Sequence, residues 1–203
     1  MPHTSQSPDR TIDERKRALR VAMRERRRSL PTDQRESASR AAQERLARSP
    51  LAAAAQIIGI YASLPAEVST DALGRALAAD GKLVCYPAVR DDVRALDFRE
   101  AGSDAFRLGA LGVREPRGAA VELSRIELFV VPAVAVDLDG RRLGRGRGHY
   151  DATLAAAAPR AQRVALVFDW QVVDEVPVDG HDERMDAVCT DSRLIRIQRG
   201  ASR

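Results

Sequence analysis

Asp137-Leu138-Asp139-Gly140-Arg141-Arg142-Leu143-Gly144-Arg145-Gly146-Arg147-Gly148-His149-Tyr150-Asp151-Ala152-Thr153-Leu154 is the stretch whose reading decides the fold. The apolar run before it, Leu128 to Val136, reads as a buried strand, and the Ala/Leu segment after it reads as a helix. Between them, glycine at every second position suits neither element, because ordering it costs too much backbone entropy. Such a backbone can instead turn its N–H groups into a concavity that an anion approaches closely. Set before a helix N-terminus and among guanidinium groups, that concavity suits phosphate. The run has neither the Gly-Lys-Ser/Thr ending of a P-loop nor the dinucleotide spacing. A nucleic-acid-binding Arg-Gly segment and a mobile surface loop are the two readings beside it.

Composition narrows the field. The chain has 203 residues, enough for about one domain, and 44% of them are hydrophobic, enough for a proper core. Its 33 basic residues nearly match 29 acidic ones, so it is no polycation, and a small anionic ligand fits this balance at least as well as nucleic acid. Cys85 and Cys189 sit in apolar, strand-like runs and read as buried thiols of a reducing compartment. The polar start and the lack of a run long enough to span a bilayer predict a cytoplasmic protein with no membrane partner. A monomer is expected.

Outward from the loop, residues 1–10 read as a flexible tail and residues 11–203 as a single domain. Thr11 to Ser29 reads as a helix. Thr32 is a candidate N-cap for a second helix running to about Arg48. Sparse apolar positions predict that both helices lie on a sheet and do not form a coiled coil. Gln56 to Tyr61 is a strand, Thr70 to Ala79 a helix capped by Ser69 or Thr70, and Leu83 to Tyr86 a strand closed by Pro87. That makes a βαβ unit with parallel strands. Ala95 to Phe98 reads as a short strand, and Arg99 to Ser124 as loop-rich. The strand over 128–136, the loop, a helix to about Ala158 and a strand over 163–168 form a second unit. Val188-Cys189 and Leu194 to Ile197 close the sheet. The expected fold is α/β, an open, mostly parallel sheet flanked by helices. In such sheets ligands bind beyond the carboxyl ends of the strands. The Ala62–Glu67 loop, the glycine-arginine loop and the segment after Phe168 should therefore converge on one cleft.

Several side chains in these loops have two readings. Glu67 orients or deprotonates a substrate nitrogen, or it only favours the dipole of the following helix. Asp151 and Asp182 beside a phosphate site suit Mg²⁺, which prefers oxygen ligands and keeps several waters; otherwise they cap a helix and close a turn. His149 and His181 read as surface or packing residues. Lys16 and Arg20, at i and i+4, share a helix face. Phe168 and Trp170 stack on a flat ring or pack in the core.

Arg142 to Asp151 resembles the signature of the 5-formyltetrahydrofolate cyclo-ligase (methenyltetrahydrofolate synthetase) family. The resemblance extends through Lys16–Arg20, Ser63 to Glu67, Glu115-Pro116, Val131-Pro132, Pro177, His181-Asp182 and Asp186, and this order and spacing together are specific. The resemblance implies a Rossmann-like fold of the NagB/RpiA/CoA transferase-like kind. It also implies ATP-dependent cyclisation of 5-formyltetrahydrofolate to 5,10-methenyltetrahydrofolate, with ADP and phosphate released through a phosphorylated formyl intermediate. By the same resemblance, ATP is held by Lys16, Arg20, Arg142, Leu143, Gly144, Arg145, Gly146, Arg147, Gly148, His149 and Tyr150. The reduced folate, with or without a polyglutamyl tail, meets Ala62, Glu67 and Tyr150; Glu67, Tyr150 and Arg145 are the catalytic candidates; and Asp151 and Asp182 match metal positions for Mg²⁺. Such chemistry needs positioning and charge neutralisation more than a protein nucleophile.

The chain departs from the family's usual pattern at Ala133 (usually glycine), Val136 (phenylalanine), Arg147 (glycine or lysine) and His149 (a second tyrosine). Ala133, Val136 and His149 keep open a diverged, ATP-binding relative that acts on another substrate. A basic nucleic-acid-binding module using the Arg-Gly loop is the rival from another class; it predicts steep salt dependence of RNA binding.

Overall fold

The computed structural model describes residues 11–65, 67–90, 92–101, 107–108 and 114–198. In chain order the elements are α1 Ile12–Arg28, α2 Thr32–Ala47, α3 Pro50–Ala54, β1 Ile57–Ile60, α4 Asp71–Ala79, β2 Leu83–Ala88, β3 Asp97–Glu100, β4 Arg107–Leu108, β5 Arg114–Glu115, β6 Ala120–Val121, β7 Leu128–Val131, β8 Ala135–Val136, β9 Arg142–Leu143, α5 His149–Ala156, β10 Gln162–Leu166, β11 Ala187–Cys189 and β12 Leu194–Arg196. Short 3-10 turns occupy Leu123–Arg125 and Asp169–Gln171. The expected tail over residues 1–10 lies outside the described residues, as do Gly112 and Val113 of the loop-rich region.

Side chains alternate along the central strands, so each strand feeds two cores. Ile58, Ile60, Leu128, Val130, Val164 and Leu166 pack beneath α2, α3 and α4, with Leu46, Leu73 and Leu77 among their neighbours. Phe129, Val131, Ala165 and Val188 face the other way, with Leu154 and Ala157 of the α5 segment. Runs buried on both faces read as continuously apolar, which is the signature of a covered parallel sheet. The main sheet runs β12-β11-β10-β7-β1-β2-β3-β6. Pairings from β11 through β2 are all parallel, while β12, β3 and β6 are antiparallel edges. The β1–β2 connection carries α4 on one face and the β7–β10 connection carries α5 on the other. Neighbouring strands β1 and β7 therefore send their chains in opposite directions, and a crevice opens beyond their carboxyl ends.

The structure corrects several sequence expectations. The apolar run 128–136 is two strands. After Pro132 the chain leaves the sheet, and Ala135–Val136 pairs antiparallel with Arg142–Leu143 in a separate ribbon. The buried Asp137 carboxylate holds that turn, accepting the N–H groups of Asp139 and Arg141 on Oδ1 and of Val176 on Oδ2. Those donors are what make its burial tolerable. Pro87 lies inside β2, opposite Phe98. The pairing of β2 with β1 ends at Gly59↔Cys85, so this part of β2 has no β1 partner that needs an N–H. Thr32 is the first helical residue of α2 and Pro31 its cap. Thr70 caps α4 without a side-chain bond, because its hydroxyl donates to the Tyr61 carbonyl at 2.6 Å. The loop-rich region contributes short strands β4, β5 and β6. Of the two front helices, α2 packs on the sheet, as expected. Met23 of α1 instead meets the ribbon, at Val134, Ala135 and Leu143.

Gly140 sits in the ribbon turn at φ +79°, where an added Cβ would lie 2.5 Å from the Met185 carbonyl oxygen. Backbone, not a movable side chain, blocks it. Gly140→Ala should lower the unfolding free energy by about 1–3 kcal/mol. Urea denaturation checks this, and an unchanged midpoint would show that the turn relaxes freely.

Candidate active site

One cavity of about 800 Å³ opens at the crevice between β1 and β7. Every site residue named from the sequence lines it: Lys16, Arg20, Ala62, Glu67, Arg142 through Asp151, and Asp182. The Ala62–Glu67 loop and the glycine-arginine loop converge there, as the strand ends require. Of the chain after Phe168, the part that arrives is Asp179 to Glu183. Phe168 and Trp170 stack on each other, 5.9 Å between centroids, away from the cavity lining.

The glycine-arginine loop is held from three sides. Buried Arg142 donates to Asp151 Oδ1 at 2.7 Å and to the Pro132 carbonyl at 3.4 Å, and its guanidinium lies 5.8 Å from the Tyr150 ring centroid. From α1, Arg20 Nε donates to the Gly144 carbonyl at 3.0 Å. His149 Nδ1 is 2.8 Å from the Arg94 carbonyl, an arrangement that requires Nδ1 to carry the proton. Gly146 and Gly148 take φ +97° and +71°, the left-handed region that glycine enters without penalty. Gly148 ends that run as the cap of α5, so the loop's N–H groups lead into a helix N-terminus.

Glu67 has a different task from the helix-dipole reading. Its Oε1 lies 2.8 Å from Arg145 Nη2, and its Oε2 accepts the Leu64 N–H at 2.9 Å. The carboxylate is thus aimed into the cavity by its own loop and by the glycine-arginine loop together. Tyr150 stands near it with a buried hydroxyl that has no hydrogen-bond partner among the described residues. Burial raises the Tyr150 phenol above its ordinary pKa, the Glu67 charge adds to this, and Arg142 counters in part, so the group stays protonated at neutral pH. A buried donor without a partner is costly unless a ligand supplies one.

At the other end Lys16 Nζ lies 2.9 Å from Asp179 Oδ2 and 2.5 Å from Asp182 Oδ2. Burial works against its charge, but the hydrogen bonds it donates to both carboxylates, with their negative charge, outweigh burial and raise its pKa. Asp151 and Asp182 are therefore each tied to a cation through one oxygen. Their second oxygens, Asp151 Oδ2 and Asp182 Oδ1, have no hydrogen bond among the described residues. No group of three metal-ligating side chains occurs among the described residues. A divalent ion that takes most of its ligands from phosphate and water needs only one or two carboxylates, and these two oxygens fit it.

Sequence reading missed Asp179, Tyr61 and Arg94. Asp179 was detectable as an acidic residue three before Asp182, the spacing of a turn. Tyr61 directly follows β1, and its hydroxyl donates to the Val68 carbonyl at 2.7 Å, which braces the Glu67 loop. Arg94 carries no local pattern; only folding brings it to His149. Ala133 lines the cavity and Val136 is core.

Comparison with known proteins gives the family. The 5-formyltetrahydrofolate cyclo-ligase family model matches residues 12–191. A 5-formyltetrahydrofolate cyclo-ligase of Mycolicibacterium smegmatis is 35% identical over 188 residues, covering 89% of this chain and 95% of that one. The Mus musculus cyclo-ligase is 27% identical, covering 88% and 94%. Among solved structures, a 5,10-methenyltetrahydrofolate synthetase from Aquifex aeolicus superposes with a TM-score of 0.80 at 25% identity, covering 92% of this chain and 95% of that one. The fold is α/β, a mostly parallel sheet flanked by helices, and the relatives it matches are ligases. The chain belongs to the 5-formyltetrahydrofolate cyclo-ligase family.

The Lys16 clamp has a pH signature. Its carboxylate side, with the Asp179 pKa depressed by the Lys16 hydrogen bond, is complete above the ordinary value of 3.8 and is lost as pH falls through the depressed one. Its ammonium side is complete below 10.5 and is lost as pH rises through the raised value. The stability difference between wild type and Lys16→Met should be level across neutral pH and shrink in acid and in strong alkali. Chemical denaturation at a series of pH values measures it; a difference independent of pH would show that the clamp contributes nothing.

Proposed function

We propose that this cavity takes Mg²⁺-ATP at the glycine-arginine loop and 5-formyltetrahydrofolate against Glu67. One observation carries the reading: a carboxylate aimed by its own loop and a glycine-arginine loop lie in a single cavity, joined by the 2.8 Å Glu67–Arg145 contact. The nucleotide supplies an electrophilic phosphorus for the formyl oxygen, which turns that oxygen into a phosphate leaving group.

Everything else falls to the chain. The loop N–H groups, Arg20, Arg142, Arg145 and Arg147 neutralise the phosphates, and Lys16 leaves its clamp to join them. Asp151 and Asp182 hold the metal ion through their uncommitted oxygens. Glu67 holds the folate N10–H beside the activated carbon and accepts its proton as the N10–C bond forms and phosphate departs with the former formyl oxygen. Tyr150, kept protonated, donates its orphaned hydroxyl to an oxygen of the reacting group. Ala62 packs against the flat pterin. Positioning and electrostatics of this kind are the main catalytic terms in phosphoryl transfer. The reading extends to a monomer and to the cytoplasm, a reducing compartment that suits the two buried free thiols, Cys85 and Cys189.

Glu67→Gln keeps the shape and removes the base. Turnover of 5-formyltetrahydrofolate, followed by methenyl absorbance, should fall at least about 100-fold, while ATP still binds in calorimetry. Full activity in the variant would remove Glu67 from the mechanism. ATP binding without turnover in the wild type would favour a diverged substrate. Arg145→Gln should raise KM for ATP and, by freeing Glu67, also lower kcat; a change in KM alone would break the proposed link between the two loops.

A further inference from the structure

The stretch that brings Asp179 and Asp182 to the cavity carries no helix or strand over residues 173–186. A carboxylate on such a stretch holds its place only through contacts made by the rest of the fold. Two of these pin the backbone: the Met185 N–H donates to the Gly140 carbonyl and the Asp186 N–H to the Arg163 carbonyl, both at 2.8 Å. Asp186 Oδ2 accepts the Arg163 N–H in return, at 2.9 Å. The Arg163 side chain adds two more. Its Nη1 meets Glu183 Oε2 at 2.6 Å, and its Nη2 donates to the Leu154 carbonyl at 3.0 Å. Glu183 directly follows Asp182, and Leu154 lies about one helical turn beyond Asp151 on α5. The Glu183 N–H itself lies 3.4 Å from Asp151 Oδ1. Arg163 therefore grips both pieces of chain that carry the two aspartates, although it does not line the cavity.

Stability alone does not call for a guanidinium here. Strand alternation puts Arg163 on the α5 side of β10 with Ala165 and Val167, opposite Phe129, a face that is otherwise apolar. Apolar residues of similar volume often replace a buried ion pair at no loss of stability. The guanidinium also carries a cost, since the side chain is only 11% exposed and its Nε is buried without a hydrogen-bond partner. What its planar fork does that an apolar chain cannot is fix two separate segments against each other. Resting on the reading that Asp151 and Asp182 hold Mg²⁺, we propose that Arg163 is a positioning residue for that ion. With Glu183 it sets the Asp182 segment against α5, so that the uncommitted oxygens of both aspartates serve one ion. Groups that orient metal ligands in this way typically govern about 10–100-fold in metal affinity.

Calorimetry of ATP binding without folate, once with Mg²⁺ and once in EDTA, tests this apart from turnover. In wild type Mg²⁺ should tighten ATP binding at least about tenfold. Arg163→Met, which suits the apolar face, should bring that gain close to one and leave the affinity in EDTA unchanged. Arg163→Lys, which keeps the charge without the fork, should restore part of the gain. Glu183→Gln leaves β10 and α5 intact and should weaken the gain as well, so the test does not depend on the Met variant folding. In turnover, Arg163→Met should raise the KM for Mg²⁺ with little change in kcat at saturating Mg²⁺. An undiminished gain in Arg163→Met, or in Glu183→Gln where the Met variant does not fold, would overturn the assignment and leave the metal reading standing. A parallel loss of ATP affinity in EDTA would show that Arg163 only maintains the fold, which also overturns it. If Mg²⁺ does not tighten ATP binding in wild type, the metal reading falls and the role of Arg163 falls with it.

Discussion

Arg142 is the interaction on which the site depends. It is a buried guanidinium on the second strand of the ribbon, and it joins three parts of the chain that have no backbone pairing with one another. One nitrogen meets Asp151 in the first turn of α5, and another meets the Pro132 carbonyl where β7 ends. Its face lies toward the Tyr150 ring. Gly144 has to be small because a Cβ there would come within 2.9 Å of the same guanidinium. A buried charge is tolerated only with such partners, and taking one away typically costs about 3–5 kcal/mol. The pair is therefore weak evidence for net stability and strong evidence for a fixed arrangement: strand end, glycine loop and helix N-terminus have one relative position.

The sheet explains why that arrangement sits where it does. Crossovers on opposite faces part at β1 and β7, and the crevice between them receives the Glu67 loop from one side and the glycine-arginine loop from the other. Glu67–Arg145 closes that meeting point. α1 adds a third wall, bringing Asp13, Lys16 and Arg20 to the cavity and fastened through Lys16 and Arg20. The cavity thus carries guanidinium groups at the glycine-arginine loop, with the Tyr150 hydroxyl and the Glu67 carboxylate beside them.

The sequence made the strands, the helices and the central loop legible because each rests on local rules. Continuous apolar runs mark doubly covered strands, and glycines alternating with arginines resist regular structure. The split at Pro132 was hidden because Ala133 to Val136 keeps the apolar pattern after the chain has left the sheet. What reveals it is Asp137, whose three backbone partners are assembled only by folding. Thr70 misled for a related reason: a hydroxyl that suits a helix cap was drawn to the Tyr61 carbonyl instead. Of the site, the loop, Glu67, Lys16 and the two aspartates were readable through their order along the chain. Asp179, Tyr61 and Arg94 are contacts across long sequence separations, and no periodicity encodes them.

The most direct test of the account follows one atom. If the formyl oxygen becomes the leaving oxygen, ¹⁸O placed in the formyl group of 5-formyltetrahydrofolate must appear in the released inorganic phosphate, one label per turnover, as mass spectrometry of the phosphate would read. Unlabelled phosphate alongside methenyl product would mean that ATP is cleaved by water and the ring closes without an activated formyl oxygen. The phosphate loop and Glu67 would then not be acting on one reacting group, contrary to the account.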